Sequence, residues 1–237
     1  LAMHQGRSLA VAPRAEVFQT YTAAVEHRLP GQVVMPGLIN AHTHAAMTLL
    51  RGFADDLPLM TWLTEHIWPA EQAHVGEAFV RAGSELAILE MLRGGVTCFN
   101  DMYFFPEQTA EAAAKAGIRA TVGMILIDFP TAYAAAAEDY LAKGQALHSQ
   151  WVNHPLIDTV MAPHAPYTVS EANLVRAAEI AENLNRRFHI HVHETADEVE
   201  RHLATHGDRP LMRLDALGLV NSNLLGVHMT HRSNRER

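Results

Sequence analysis

Histidine is over-supplied in this chain, with 16 among 237 residues against 18 lysines and arginines together. Several fall where an ion could be held. Asn40-Ala41-His42-Thr43-His44 places two imidazoles two residues apart, and such residues share one face of a strand. His189, His191 and His193 do the same if their strand stays regular. Not all three can join His42 and His44 around one ion, so at least one of them packs or supports the others. Glu194 follows directly, where a carboxylate could reach water on that ion. His164 lies in Ala162-Pro163-His164-Ala165-Pro166-Tyr167 and His228 in Val227-His228-Met229-Thr230-His231. Taken singly, each is an ordinary loop or packing histidine. Taken together, four predicted strand ends carry histidine at one level, which points to a shared metal-centred site. Nitrogen and oxygen ligands without thiolate suit one zinc ion, with iron or manganese as alternatives. Such an ion lowers the pKa of bound water from about 15.7 to about 7. A nearby carboxylate can then move protons, and the chemistry is hydrolysis.

The elements that must position these groups follow from period and punctuation. Strands are predicted over Val33–Asn40, Val96–Asn100, Ile118–Ile127, Ile157–Ala162, Phe188–His193 and Leu224–Met229. Helices are predicted over Val75–Arg93, Pro106–Ala116, Tyr133–Gln150, from a Ser170 cap to about Arg186, Ala196–His206 and Leu211–Leu217. Trp68-Pro69 reads as a turn, and residues 1–35 read as a small β appendage with a lead-in. Six strands alternating with helices imply parallel βα units. An open doubly wound sheet and a β/α barrel lacking two units both fit. The first strand is not followed by G-x-G-x-x-G, which weakens the dinucleotide-binding version. The histidines cluster at the carboxyl ends of the strands, where a barrel builds its active site.

Composition narrows the classes. With 49% hydrophobic and 19% charged residues, the chain is globular rather than disordered. No apolar run reaches the roughly 18 residues of a membrane-spanning helix. A net charge of −8 without a basic block argues against nucleic acid as a partner. Cys98 is the single cysteine, so no intrachain disulfide can form and thiolate-rich zinc sites are excluded. The first residues lack the layout of a signal peptide, and the cytoplasm is the expected compartment.

The stretch Met35–Gly52 (MPGLINAHTHAAMTLLRG) resembles the first-strand signature of the metal-dependent amidohydrolase superfamily. Ile67-Trp68-Pro69-Ala70-Glu71, Asn100-Asp101-Met102-Tyr103, Pro163-His164-Ala165-Pro166-Tyr167, His191-Val192-His193-Glu194-Thr195 and Val227-His228 follow in the family's order. Within the superfamily the sequence is similar to the 5′-methylthioadenosine/S-adenosylhomocysteine deaminases and their chlorohydrolase relatives. The resemblance implies an α/β fold, a (β/α)8 TIM barrel truncated here after about six strands. Residues 33–237 would be the incomplete barrel, and residues 1–32 a partial small β domain and lead-in. It implies His42, His44 and His191 as metal ligands, Glu194 as proton shuttle and His228 as a residue polarising or orienting the hydrolytic water. Glu71 would accept the ribose hydroxyls, His164 would contact the sugar or its 5′ substituent, and the segment around Trp62 and Trp68 offers apolar area for a purine and a thioether. The family completes its metal site with an aspartate at the end of an eighth strand. No residue here matches it, since Asp101, Asp208 and Asp215 stand elsewhere. The first and sixth strands should leave open edges, and a homo-oligomer is expected. The implied reaction is hydrolytic deamination of small adenosine-type nucleosides. The alternatives are another branch acting on triazine, guanine or cytosine rings, or an inactive fragment lacking the last ligand.

Overall fold

Gln5 and Gly6 both adopt left-handed backbone (φ 47° and 74°). That conformation matches strand twist in a two-residue hairpin, and it joins β1 (Ala2–His4) to β2 (Arg7–Ala10). The computed structural model describes residues 1–233 and Glu236. Its contacts divide the chain into Leu1–Pro36 and the remainder from Gly37. The smaller unit also contains a helix that the β reading did not include, α1 (Arg14–Thr20). Pro13 precedes it and Glu16 stands in its first turn. It buries no residue, so no apolar period betrays it in the sequence.

In the larger unit, β3 (Leu38–Thr43) is followed by a 3-10 turn (Ala45–Leu50) and α2 (Leu59–Thr61). A π-helical turn (Trp62–Ile67) carries α2 into α3 (Trp68–His74). Then come α4 (Glu77–Arg93), β4 (Val96–Asp101), α5 (Pro106–Ala116), β5 (Arg119–Leu126) and α6 (Ala137–Trp151). The remainder is β6 (Ile157–Pro163), α7 (Glu171–Asn183), β7 (Phe188–Val192), α8 (Ala196–His206), α9 (Pro210–Ala216) and β8 (Leu224–His228). No helix among the described residues is long and apolar enough to cross a membrane.

Strands β3 to β8 form one parallel sheet in sequential order. β7 is buried throughout, and β6 at all but one position, as expected of parallel strands covered on both faces. The edge strand β3 instead exposes Leu38 and Ile39. A flat six-stranded sheet would hold its edge strands roughly 24 Å apart. Here the rings of His42 on β3 and His228 on β8 lie 6.3 Å apart. The sheet is therefore curled into most of a barrel wall, and the carboxyl ends of all its strands face a common space. The open doubly wound alternative is thereby rejected.

Several boundaries differ from expectation. The first strand starts at Leu38, not Val33, because Val33, Val34 and Met35 are exposed and precede Pro36, which has no N–H to pair. It also runs on through Thr43. Trp68-Pro69 is no turn: Pro69 stands in the first turn of α3, inside a helical run that starts at Leu59 and passes through the π turn. α4 begins at Glu77 because Gly76 is extended. α6 begins at Ala137, after Asp139 accepts from the Ala135 N–H (3.0 Å). Ser170 holds the position before α7, but its hydroxyl caps nothing; its own N–H donates to Asp128 Oδ2 (2.7 Å). α7 stops at Asn183, and Asn185 turns left-handed (φ 52°).

Candidate active site

The barrel's curl brings β3 and β7 together at their carboxyl ends. His42 Nε2 lies 3.0 Å from His191 Nε2. One donor nitrogen from each of His42, His44 and His191 falls within 4.8 Å of the other two. His191 Nδ1 is 2.8 Å from the His164 carbonyl, and His44 Nδ1 is 2.5 Å from the Met102 carbonyl. A carbonyl only accepts, so both rings carry their proton on Nδ1 and present a bare Nε2. Burial first, then the neighbouring histidines, pushes His42 down to about 3 and His191 well below the ordinary range. Burial also lowers His44. Neutral imidazoles with convergent lone pairs are what a divalent ion requires, so the donor set fits a metal.

The other two histidines of β7 go elsewhere. His189 is fully buried, with Nε2 3.0 Å from His42 Nδ1, and so supports that ring from behind. His193 lies past the strand with a left-handed backbone (φ 56°), so it leaves the shared face. Its Nε2 accepts the Leu211 N–H (3.1 Å) at the start of α9.

The loop carrying His44 is held by Asp101 at the end of β4. Asp101 Oδ1 accepts the Thr43 hydroxyl (2.7 Å) and the Ala45 N–H (2.6 Å). Asp101 is buried, which pushes its carboxyl up to about 6. On the far side, Gly83 of α4 lets the helix close on Ala46. A Cβ there would stand 2.4 Å from the Ala46 carbonyl oxygen.

Glu194 is set by a capping arrangement at the start of α8. Thr195 Oγ1 accepts the Glu198 N–H (3.1 Å). The Glu198 carboxylate accepts the N–H groups of His193 (3.1 Å) and Glu194 (2.6 Å). This is a variant of the capping box, readable in the sequence as Thr195-x-x-Glu198, and it gives Glu198 a role that strand-end motifs do not reveal. Burial pushes the Glu194 carboxyl up to about 7, with the Glu198 charge adding to the shift. Glu194 Oε1 lies 3.4 Å from His228 Nε2. His228 and Met229 are both left-handed (φ 73° and 53°), and Thr230 N–H donates to the His193 carbonyl (3.0 Å), tying the ends of β7 and β8 together.

These groups open into a cavity of about 710 Å³. The eight residues to which the family resemblance gives a site role line it: His42, His44, Trp68, Glu71, His164, His191, Glu194 and His228. Glu71 accepts from the Tyr103 hydroxyl (2.7 Å), and burial pushes its carboxyl up to about 7. His164 Nδ1 is 2.9 Å from Thr168 Oγ1, and burial pushes that ring down to about 3. The Trp68 ring lies 5.7 Å from Phe129. Phe129, Tyr103 and Tyr167 are lining residues given no role from sequence, since an aromatic in a loop carries no periodic signal. Among the described residues no aspartate lines the cavity.

The amidohydrolase family model matches residues 33–236. The chain belongs to the amidohydrolase family. This amidohydrolase is 50% identical over 233 residues to the 5-methylthioadenosine/S-adenosylhomocysteine deaminase of Teredinibacter turnerae, covering 98% of the chain and 53% of that protein. It is 48% identical over 230 residues to the protein of the same name from Saccharophagus degradans, covering 97% and 52%. Its structure is similar to that of an adenosine deaminase from Xanthomonas campestris with bound zinc, with a TM-score of 0.83 and 55% identity. That match covers 85% of this chain and 46% of the other. The amidohydrolase chain thus spans about half the length of the curated relatives it matches. A metal site in it is supported by its own histidine triad and by the zinc in that neighbour.

Proposed function

We propose that this chain carries the catalytic core of a hydrolytic deaminase acting on adenosine-type nucleosides, with 5′-methylthioadenosine and S-adenosylhomocysteine as substrates. Water adds at C6 of the adenine ring, the exocyclic C–N bond breaks, and ammonia leaves with the inosyl product. The observation that carries this reading is one cavity holding three convergent imidazoles, a carboxyl group poised near neutrality and a second, separate carboxyl group on α3.

His42, His44 and His191 would hold the ion, which is zinc in this reading because imidazole nitrogens suit it and a structural neighbour binds it. Bound there, zinc supplies Lewis acidity and a nucleophilic water near neutral pH. Glu194 would take one proton from the attacking water and pass it to the ring nitrogen beside C6, then carry the remaining hydroxyl proton to the amino group, which leaves as ammonia. A group near pKa 7 can serve in both directions. His228, 3.4 Å from the Glu194 carboxylate, orients the water and the shuttle. Glu71 accepts the vicinal ribose hydroxyls, with Tyr103 holding its carboxylate in place. Trp68 supplies apolar area beside them, and His164 contacts the sugar side. The relatives' names agree with this substrate class.

The test is ammonia release by the purified, zinc-supplemented protein from 5′-methylthioadenosine, S-adenosylhomocysteine and adenosine. Release is expected from the nucleosides. Turnover of guanine, cytosine or a triazine with none of the nucleosides would move the chain to another branch of its family. The Glu71→Gln variant separates the two directly, since a bare ring does not need that carboxylate.

A further inference from the structure

Adjacent residues of a strand point to opposite faces, and the last two residues of β4 use this to reach both histidines at the end of β3. Asp101 holds the turn that carries His44. Asn100 points the other way, toward His42. Its Nδ2 donates to the carbonyl of Ala41, the residue before His42 (3.1 Å), and lies 3.4 Å from His189 Nδ1. His189 is fully buried, and its Nε2 is 3.0 Å from His42 Nδ1. The side chains thus run in one line from Asn100 through His189 to His42, ending at the nitrogen that faces His191. The other end of the amide, Asn100 Oδ1, is buried and has no partner among the described residues.

The line has a direction. A carbonyl only accepts, so the amide atom facing Ala41 is the nitrogen. Its second hydrogen faces His189 Nδ1, which therefore accepts. The His189 proton then sits on Nε2 and is donated to His42 Nδ1. His42 carries its own proton on Nε2, the nitrogen an ion needs bare. An ion on His42 Nε2 reverses the line. His42 Nδ1–H then donates to His189 Nε2, and His189 Nδ1–H faces Asn100. Nδ2 cannot accept it. Oδ1 can, once the amide turns over and gives up the Ala41 carbonyl. We propose that Asn100 is a positioning residue for the metal site, serving His42 through His189 with Nδ2 when no ion is held and with Oδ1 when one is. The buried oxygen without a partner is then the acceptor of the second state. An amide offers a donor and an acceptor end, whereas a carboxylate offers only the second. The inference rests on the metal reading of the histidine triad.

The test is NMR of protein carrying nitrogen-15 histidine, with and without zinc, beside competition with a chelator for zinc affinity. Proton–nitrogen correlations within the ring tell an Nδ1–H imidazole from an Nε2–H one, and the His189 signals are those missing in His189→Gln. His189 should be protonated on Nε2 without zinc and on Nδ1 with it. The same tautomer in both states overturns the proposal, and this measurement needs no Asn100 variant to fold. Asn100→Leu should weaken zinc about 10- to 100-fold, the loss typical of a partner behind a ligand. Asn100→Asp keeps an acceptor for His189 and should lose less. Asn100→Leu binding zinc as tightly as the wild type, or Asn100→Asp binding it more weakly than Asn100→Leu, also overturns the proposal while leaving the metal reading in place. Wild-type protein that takes up no zinc overturns the metal reading and this inference with it.

Discussion

His42 and His191 stand 149 residues apart in the chain and 3.0 Å apart at their Nε2 atoms. The Nε2 of His191 has no proton to offer, because its Nδ1–H is committed to the His164 carbonyl. Without an ion the contact requires a proton on His42 Nε2, donated to His191; an ion held by His42, His44 and His191 would take that proton's place. Replacing His44 or His191 by alanine should lower zinc affinity by at least the roughly 100-fold that loss of a mere supporting partner can cost. Metal content after dialysis against a graded chelator measures it. Full zinc occupancy in both variants would disprove the assignment.

Glu194 should be separable from metal binding. Glu194→Gln is expected to cut kcat by about 10²- to 10⁴-fold, the usual worth of a general acid–base group, with zinc content unchanged. Burial and the Glu198 charge raise its carboxyl to about 7. The ionised form needed to accept a proton is therefore lost as pH falls through about 7, and kcat/KM should decline on that side. Glu198→Gln removes a negative neighbour, lowers the Glu194 pKa and should move the acid limb of the profile to lower pH. An acid limb that stays put in Glu198→Gln would show that another group sets it.

Tyr103 should act on binding rather than on chemistry. Its hydroxyl donates to Glu71 and opposes the upward push of burial on that carboxyl. Tyr103→Phe raises the Glu71 pKa further beyond about 7 and leaves more of it neutral at neutral pH. KM for nucleosides should rise about tenfold, the scale of a lost hydrogen bond to a charged group, with kcat nearly unchanged. Steady-state kinetics at pH 7 and 9 check this. The defect should shrink at the higher pH, where Glu71 is ionised in both proteins.

Gly83 should tolerate no side chain. A Cβ would meet the backbone of Ala46 at 2.4 Å from its oxygen and 2.8 Å from its Cα. Gly83→Ala must push α4 away from the turn that follows His44, at about 1–3 kcal/mol of overpacking. Urea unfolding measures that loss. An unchanged midpoint would mean that the helix moves aside freely.

Much of this architecture is legible in the residue order. Strands buried on both faces read as short apolar runs, so β4, β5, β6, β7 and β8 stand within a few residues of where their hydrophobicity puts them. The cavity's eight residues carry a signal too, because histidines and carboxylates at the polar ends of apolar runs have few structural reasons to recur. Other features are illegible for stated reasons. α1 buries nothing, and the region from Leu59 to His74 is helical through a π turn, whose extra residue breaks the 3.6 period a reader would look for.

The sequence by itself determined the alternation of strands and helices, the level at which the histidines cluster and the kind of chemistry they could share. Spacing did not decide which histidines share it; the family motif pointed to His191, and the tertiary structure gives the physical reason. His189, His191 and His193 are equivalent by spacing. The curl of the sheet aims His191 at His42 and leaves His189 behind that ring, and a left-handed residue after β7 turns His193 away. The tertiary structure also decided that Tyr103 holds Glu71. Such pairings depend on distances between elements far apart in the chain or on one backbone dihedral, and neither is encoded in local periodicity.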